Sequence, residues 1–251
     1  MHQPRPLDVS AVTTVLCDAD GNLFPSEEPA FVASAEVTNR FLASLGVPRR
    51  FGAEELRLAT TGRNFRTTAV ELAGGVAIEP AELDRWVREE ARAVTAHLGR
   101  VLRPDPAVLG PLTALAGRYR LAAVSSSALA RLAACFTATG LDGLIPPGAR
   151  FSAEDSLPVP TSKPDPAVYS VACERLGLRP DRAVAVEDSV PGVRSAVAAG
   201  IGTIGNLVFV PPAERADRAA ALRAAGAAVV VEHWAEVAEV LAGVGAGSAA
   251  R

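Results

Sequence analysis

The chain has 251 residues, of which 49% are apolar and 21% charged, enough to bury the core of one large domain or of a domain with an insert. Its net charge of −3 gives no sign of a basic surface that would bind nucleic acid. No apolar stretch reaches the roughly 18 residues of a membrane-spanning helix. The three cysteines are far apart and residues 1–10 contain no apolar run, so we expect a cytoplasmic protein without disulfides or a secretory signal.

The first predicted strand is the apolar, β-branched run 12–17, which is typical of a strand buried on both faces. Turn-forming residues follow it directly, from Asp18 to Asn22. From Pro29 to about Gly99 the periodicity is helical, with a second long helix predicted over 81–98. One face of the first helix is formed by Phe31, Ala35, Thr38, Phe41, Leu42 and Leu45.

Beyond Arg103 the predicted elements alternate between helices and strands. The predicted helices are 106–117, 128–139, 166–176, 190–199, 213–225 and 233–241, and the strands are 121–124, 183–186, 201–204 and 228–231. This alternation indicates an α/β fold, a parallel sheet with helices on both faces. The helical block after the first strand is then an insert in that fold.

Polar side chains follow three of the predicted strands. They are Asp18 and Asp20, Ser125 and Ser126, and Glu187 and Asp188. Ligands of an open parallel sheet bind at the carboxyl ends of the strands, so these side chains could converge there. Lys163, in the loop before a helix, is the one lysine among 25 basic residues. Because a lysine is a compact point charge and an arginine a planar fork, this lysine could stand where a guanidinium does not fit.

Four carboxylates, a serine pair and a lysine suit phosphoryl transfer. A divalent cation with hard oxygen ligands, best matched by Mg²⁺, would offset the repulsion among the acids. One aspartate could attack phosphorus, and a second, two residues along, could act as general acid and base. The alternative for a single acid is structural, because Asp20-Gly21 by itself is a typical turn.

Four segments carry a resemblance to a known family. They are LCDADGNLF, AAVSSS, SKPDPAVY and AVAVEDSVPGVRSAVAAG, in this order along the chain. Over about 12–209 the sequence resembles the haloacid dehalogenase superfamily, on its phosphatase and β-phosphoglucomutase-like branch. The resemblance implies a Rossmann-like core at 9–25 and 103–245, an inserted α-helical cap domain at 26–102 and a flexible tail at 246–251.

The resemblance also implies roles for individual residues. Asp18 would be the nucleophile and Asp20 the general acid and base. Ser125 would hydrogen-bond the phosphoryl group, helped by the Ser126 amide, and Lys163 would bridge the nucleophile and the phosphate. The Mg²⁺ ligands would be Asp18, the backbone carbonyl of Asp20, Asp188 and Glu187.

The first motif departs from the usual pattern at Asn22, where Thr or Val is common, and at Pro25-Ser26, which replaces an acidic-Ser pair. These positions lie in the predicted hinge to the cap, so the departures bear on cap movement and specificity rather than on the chemistry. The second aspartate argues against a haloalkanoic dehalogenase. The cap has no lysine, which argues against a phosphonatase and favours a phosphatase over a phosphomutase. A catalytically silent binding protein of the same fold is a further alternative.

In the cap, the segment 60–66 is the best candidate substrate loop. Arg63 and Arg66 could bind a substrate carboxylate or second phosphate, with Asn64 between them. The alternative is that both are solvated surface arginines. We expect the partner to be a small phosphorylated metabolite, of the phosphoglycolate or sugar-phosphate type, bound by a monomer or homodimer.

Overall fold

The computed structural model describes residues 7–60 and 64–243. The chain divides into two compact units, one formed by Met1–Phe24 with Arg103–Arg251 and the other by Pro25–Leu102. The predicted tail, 246–251, and Arg63 lie outside the described residues. The sequence puts the insert at 26–102, and its role as a cap stays a prediction.

The first unit contains a six-stranded parallel sheet, so the predicted α/β fold is confirmed. Its strands are β1 (Thr14–Cys17), β2 (Arg120–Ser125), β3 (Arg150–Ser152), β4 (Ala183–Glu187), β5 (Gly202–Asn206) and β6 (Val229–Val231). They lie in the order β3-β2-β1-β4-β5-β6. Every residue of β1 and β4 is buried, as expected for apolar strands with both faces covered.

Among the described residues of this unit there are six α-helices, which follow the predicted periodicity closely. They are α5 (Pro106–Ala116), α6 (Leu129–Thr139), α7 (Ala167–Leu176), α8 (Val190–Ala198), α9 (Arg215–Ala225) and α10 (Trp234–Leu241). Two of them begin with a side-chain cap: Asp105 accepts a hydrogen bond from the Ala107 amide, and Ser189 accepts one from the Gly192 amide. The Ser189 cap fixes the start of α8 directly after β4, and the Asp105 cap fixes the start of α5.

The strand order reverses at β1, which lies between β2 and β4. In register, Cys17 is paired with Ala123 of β2 and with Val186 of β4. The residues that follow these three strands therefore emerge side by side. A reversal of this kind opens a crevice at the carboxyl ends of the strands, where α/β proteins bind their ligands.

The second unit is helical. Its helices are α1 (Glu27–Ser44), α2 (Ala53–Thr60), α3 (Phe65–Leu72) and α4 (Pro80–Val101). Phe41 and Trp86 pack edge to face with their ring centroids 5.8 Å apart, in a core shared with Leu42 and Leu56. On the predicted face of α1, Ala35, Thr38, Phe41 and Leu42 are buried. This unit thus has a hydrophobic core of its own.

Candidate active site

Asp18 lies at the centre of a buried polar cluster where the strand order reverses. It directly follows β1, and its backbone amide donates to the carbonyl of Val186, 2.9 Å away on β4. Glu187 is the last residue of β4 and Asp188 follows it, while Ser125 ends β2. The sheet thus brings together side chains that are up to 170 positions apart in the sequence.

The ammonium of Lys163 is the hub of this cluster. Its Nζ donates hydrogen bonds to Asp18 Oδ1, to Glu187 Oε1 at 2.7 Å and to the carbonyl of Val124 at 2.7 Å. Three partners use all three donors of an ammonium. The side chain is only 5% exposed, so few other groups can reach it. A compact cation therefore fits where a planar guanidinium would not, in line with its retention in an arginine-rich chain.

The charge of Lys163 is stabilised by its neighbours. Although burial by itself lowers the pKa of a lysine, the carboxylates of Asp18 and Glu187 hold the pKa of Lys163 above its usual value. Burial raises the pKa of the Asp18 carboxyl, and the Lys163 ammonium opposes this effect. The lysine is therefore a permanent cation beside the candidate nucleophile.

Ser126 supports this lysine from the backbone side. Its Oγ accepts a hydrogen bond of 3.1 Å from the backbone amide of Lys163. The resemblance predicts that the backbone amide of Ser126 helps to bind phosphate, and the observed contact of its side chain is with the lysine loop. The hydroxyl thus ties the loop that carries Lys163 to the carboxyl end of β2.

Asp20 is held by groups from the start of α6 and from the residues before it. Its Oδ2 accepts from Ser127 Oγ at 2.7 Å and is 3.4 Å from Ser125 Oγ, and its Oδ1 accepts from the Arg131 guanidinium at 2.9 Å. The Ser125 hydroxyl accepts from the backbone amide of Ser127 at 3.0 Å. Ser127 and Arg131 are not among the sequence-predicted residues. Ser127 directly follows the predicted serine pair and Arg131 lies in the first turn of α6, and these two positions are the signal that could have indicated them.

Glu187 is completely buried, and a tyrosine positions it. Oε1 accepts from Tyr169 Oη at 2.5 Å in addition to Lys163. Oε2 is buried, and no described residue donates a hydrogen bond to it. A Cβ placed on Gly192 would lie 1.8 Å from Oε2, so this helix position must stay a glycine for the carboxylate to occupy its place. Tyr169 is not among the sequence-predicted site residues, although it is the last residue of the segment SKPDPAVY; it lies in the first turn of α7.

One carboxylate oxygen each of Asp18, Glu187 and Asp188 lies within 4.8 Å of the others. Burial and the Glu187 carboxylate raise the pKa of Asp188 to about 7. Buried acids this close repel one another unless a cation offsets their charge. The hard oxygen donors, their convergence and the unpartnered Oε2 of Glu187 fit a divalent cation such as Mg²⁺.

Asn22 differs from the sequence-based expectation. From the sequence we expect Asn22 to lie in the hinge to the cap, where it would affect the movement of the cap and the substrate specificity. The structure instead buries its side chain completely in the sheet unit, against the backbone of Asp18 and Val186. The pattern of the motif does not reveal this, because both partners are backbone carbonyls brought close by strand pairing.

Two of the predicted substrate residues, Asn64 and Arg66, have structural partners in the helical unit. Asn64 caps α3, since its side chain accepts a hydrogen bond of 2.9 Å from the Thr67 amide. Arg66 is half-exposed and pairs with Asp84. Substrate binding by Asn64, Arg66 and Arg63 therefore stays a prediction.

Within 7–60 and 64–243, no helix combines the length and the apolar character needed to cross a bilayer.

Comparisons with known proteins agree with this site. The family model of haloacid dehalogenase-like hydrolases matches residues 12–200, which span the described cluster from Asp18 to Gly192. The protein CbbY of Cereibacter sphaeroides is 32% identical over 204 residues, covering 77% of this chain and 83% of CbbY.

Two solved structures resemble the fold over nearly the whole chain. A hydrolase of the same family from Deinococcus radiodurans, with bound phosphate and sodium, has a TM-score of 0.65 at 28% identity and covers 94% of this chain and 97% of its own. CbbY from Rhodobacter sphaeroides, in complex with xylulose-1,5-bisphosphate, has a TM-score of 0.66 at 26% identity. The match covers 90% of this chain and 96% of the CbbY chain.

Proposed function

The chain belongs to the haloacid dehalogenase-like hydrolases and is a phosphoric monoester hydrolase, and from this premise we propose that it dephosphorylates a small sugar phosphate with Mg²⁺ through an aspartyl-phosphate. The observation that carries the proposal is the contact of Asp18 with the Lys163 ammonium, beside two further acids. This arrangement holds a carboxylate nucleophile and a fixed positive charge where a phosphoryl group would be transferred.

In the first half of the reaction, a carboxylate oxygen of Asp18 attacks phosphorus and the bond from phosphorus to the substrate oxygen breaks. The Lys163 ammonium, already in place on Asp18 and Glu187, stabilises the negative charge on the transferring oxygens. Asp20, in its protonated form, gives its proton to the leaving alkoxide.

In the second half, the Asp20 carboxylate takes a proton from a water molecule, whose oxygen attacks the phosphorus of the aspartyl-phosphate. The bond between phosphorus and Asp18 breaks, and inorganic phosphate leaves. Ser127 and Arg131 hold the Asp20 side chain beside Ser125 at the end of β2. The group that serves as general acid and then as general base is thus kept close to the nucleophile.

We assign the Mg²⁺ ligands to Asp18, Asp188 and Glu187, with the backbone carbonyl of Asp20 as a further oxygen. When bound, the ion supplies positive charge that offsets the acids and the phosphate. Glu187 has a second task in this proposal, because its Oε1 keeps Lys163 and Tyr169 in position while Oε2 is left for the cation.

The substrate class rests on the chain's relatives. CbbY from Rhodobacter sphaeroides, at 26% identity, has been solved with a sugar bisphosphate, and this favours a sugar phosphate over phosphoglycolate. We propose that Pro25–Leu102 is the cap and that Arg63, Asn64 and Arg66 contribute to the choice of substrate.

Metal-dependent turnover tests this proposal. We expect hydrolysis of an aryl phosphate in the presence of Mg²⁺, its loss on addition of EDTA, and its recovery when Mg²⁺ is restored in excess. Activity that persists in EDTA would contradict the metal assignment. A panel of phosphoglycolate, sugar monophosphates and sugar bisphosphates then identifies the substrate class, and sugar phosphates are expected to have the highest kcat/KM.

The same panel separates the phosphatase from the phosphomutase alternative. A mutase isomerises a sugar phosphate in the presence of its bisphosphate and releases little inorganic phosphate. We expect stoichiometric release of phosphate and no isomerised sugar phosphate. The reason is that the chain's one lysine is bonded to Asp18 and Glu187, so the predicted cap has no lysine of its own. No turnover of any substrate by metal-loaded protein would instead favour a binding role.

A further inference from the structure

Asn22 joins the two strands that carry the acids. Its side chain is 0% exposed, and Nδ2 donates to the carbonyl of Asp18 at 3.0 Å and to the carbonyl of Val186 at 3.0 Å. Asp18 follows β1, and Val186 precedes Glu187 at the end of β4. One amide group therefore fastens together the strand ends from which the acidic cluster emerges.

Asn22 is in turn fixed from two other elements. Its Oδ1 accepts from Asn206 Nδ2 at 2.9 Å, at the end of β5, and its backbone carbonyl accepts from Trp234 Nε1 at 2.8 Å, at the start of α10. Asn206 Oδ1 accepts from the Val208 amide at 3.2 Å. We call Asn22, Asn206 and Trp234 the asparagine clamp.

The clamp uses both donors and the acceptor of the Asn22 amide in a buried setting. Such fully bonded polar networks define one geometry, because any displacement leaves a buried polar group unpartnered. Threonine offers a single hydroxyl donor and valine offers none, so neither residue could bridge both carbonyls and also accept from Asn206. The asparagine at position 22 is thus matched to Asn206 in this chain.

We propose that the asparagine clamp is a positioning device that sets the separation between Asp18 and the Glu187–Asp188 pair, and so the affinity of the site for a divalent cation. The inference rests on the proposed metal site. Cations require their oxygen ligands at defined distances, and groups that orient the ligands contribute to affinity although they do not touch the ion. The clamp acts through backbone carbonyls on either side of the acids.

Direct measurement of Mn²⁺ binding by electron paramagnetic resonance tests the clamp with a readout other than activity. In Asn22→Ala we expect roughly 10- to 100-fold weaker binding of Mn²⁺, and in Asn206→Ala a smaller loss in the same direction, as is typical for groups that orient metal ligands. The clamp variants should also need more Mg²⁺ for half-maximal activity than wild type does.

Asn39→Ala is the matched control. Asn39 also binds backbone through its amide, donating to the Phe51 carbonyl at 2.9 Å and accepting from the Phe51 amide at 2.8 Å, but it belongs to the helical unit. Its loss should lower the thermal midpoint of unfolding while Mn²⁺ affinity stays within about twofold of wild type, since it orients no metal ligand.

The possible outcomes separate the clamp from the metal site. Wild type that binds one Mn²⁺, with clamp variants that bind it equally well and lose only thermal stability, would overturn the positioning role. Wild type that binds no Mn²⁺ would overturn the proposed metal site itself, and the clamp's role with it. If Asn22→Ala does not fold, the Mn²⁺ affinity of Asn206→Ala is the deciding measurement. This variant keeps both hydrogen bonds that Asn22 donates to the strand carbonyls.

Discussion

Asp18→Asn is expected to lower kcat by roughly 10⁴-fold or more while the protein stays folded, as for other enzymes that lose their nucleophile. The amide has nearly the shape of the carboxylate but cannot attack phosphorus. Asp18 is buried beside Lys163, so no water-exposed acid can take its place in the same geometry. Steady-state hydrolysis of an aryl phosphate with Mg²⁺ measures the loss, and thermal unfolding checks the fold.

Asp181→Asn is the control for this variant. Asp181 is an exposed aspartate that pairs with Arg179 on the surface, away from the strand ends that carry the cluster. Its activity should equal that of wild type. Retention of more than about a tenth of wild-type activity by Asp18→Asn would mean that another group forms the bond to phosphorus.

Lys163→Arg is expected to lower kcat/KM by roughly 10²- to 10³-fold. The variant keeps the positive charge, but the charge is no longer held in the preorganised position near the transferring oxygens. The ammonium is bonded to Asp18, Glu187 and the Val124 carbonyl in a pocket that leaves it 5% exposed. A planar guanidinium is larger and cannot direct single donors to three converging acceptors. The loss should therefore appear in kcat/KM with both aryl and sugar phosphates.

Lys163→Met separates the shape of the side chain from its charge. Removing the cation leaves buried carboxylates uncompensated, which typically costs about 3–5 kcal/mol of unfolding free energy. We expect Mg²⁺ to restore part of this stability, because the ion also offsets the acids. Arg179→Lys, on the surface, serves as the control. Lys163→Arg with activity close to that of wild type would show that charge alone is enough at this position.

The sequence predicts the elements of the sheet unit well because their signals are local. The buried strand β1 is a run of apolar and β-branched residues, and α5 begins with Asp105 and Pro106, a typical helix start. The convergence of Asp18, Ser125 and Asp188 follows from one further rule, that parallel strands present their carboxyl ends at a common edge. The structure places Asp18 close to Asp188 and Ser125 beside Asp20, and the catalytic roles of these residues stay predictions.

The remaining features depend on contacts that no local pattern encodes. Tyr169 is an aromatic at a helical position, and only the packing of α7 against the sheet brings its hydroxyl to Glu187. Asn22 occupies a turn-forming position in the sequence, yet its partners are carbonyls of two strands and a side chain 184 residues away. Such residues could not be predicted because their neighbours are defined by tertiary structure.

Detection of the covalent intermediate tests the central claim most directly. Asp20→Ala lacks the base for the second half of the reaction, while an aryl phosphate has a leaving group that needs little help from an acid. After rapid acid quenching of this variant with substrate and Mg²⁺, mass spectrometry should find one added phosphoryl group, located on Asp18 and absent from Asp18→Asn with the same Asp20→Ala change. A phosphoryl group on any other residue, or turnover by Asp20→Ala at the wild-type rate with no phosphorylated protein at any time, would contradict the account.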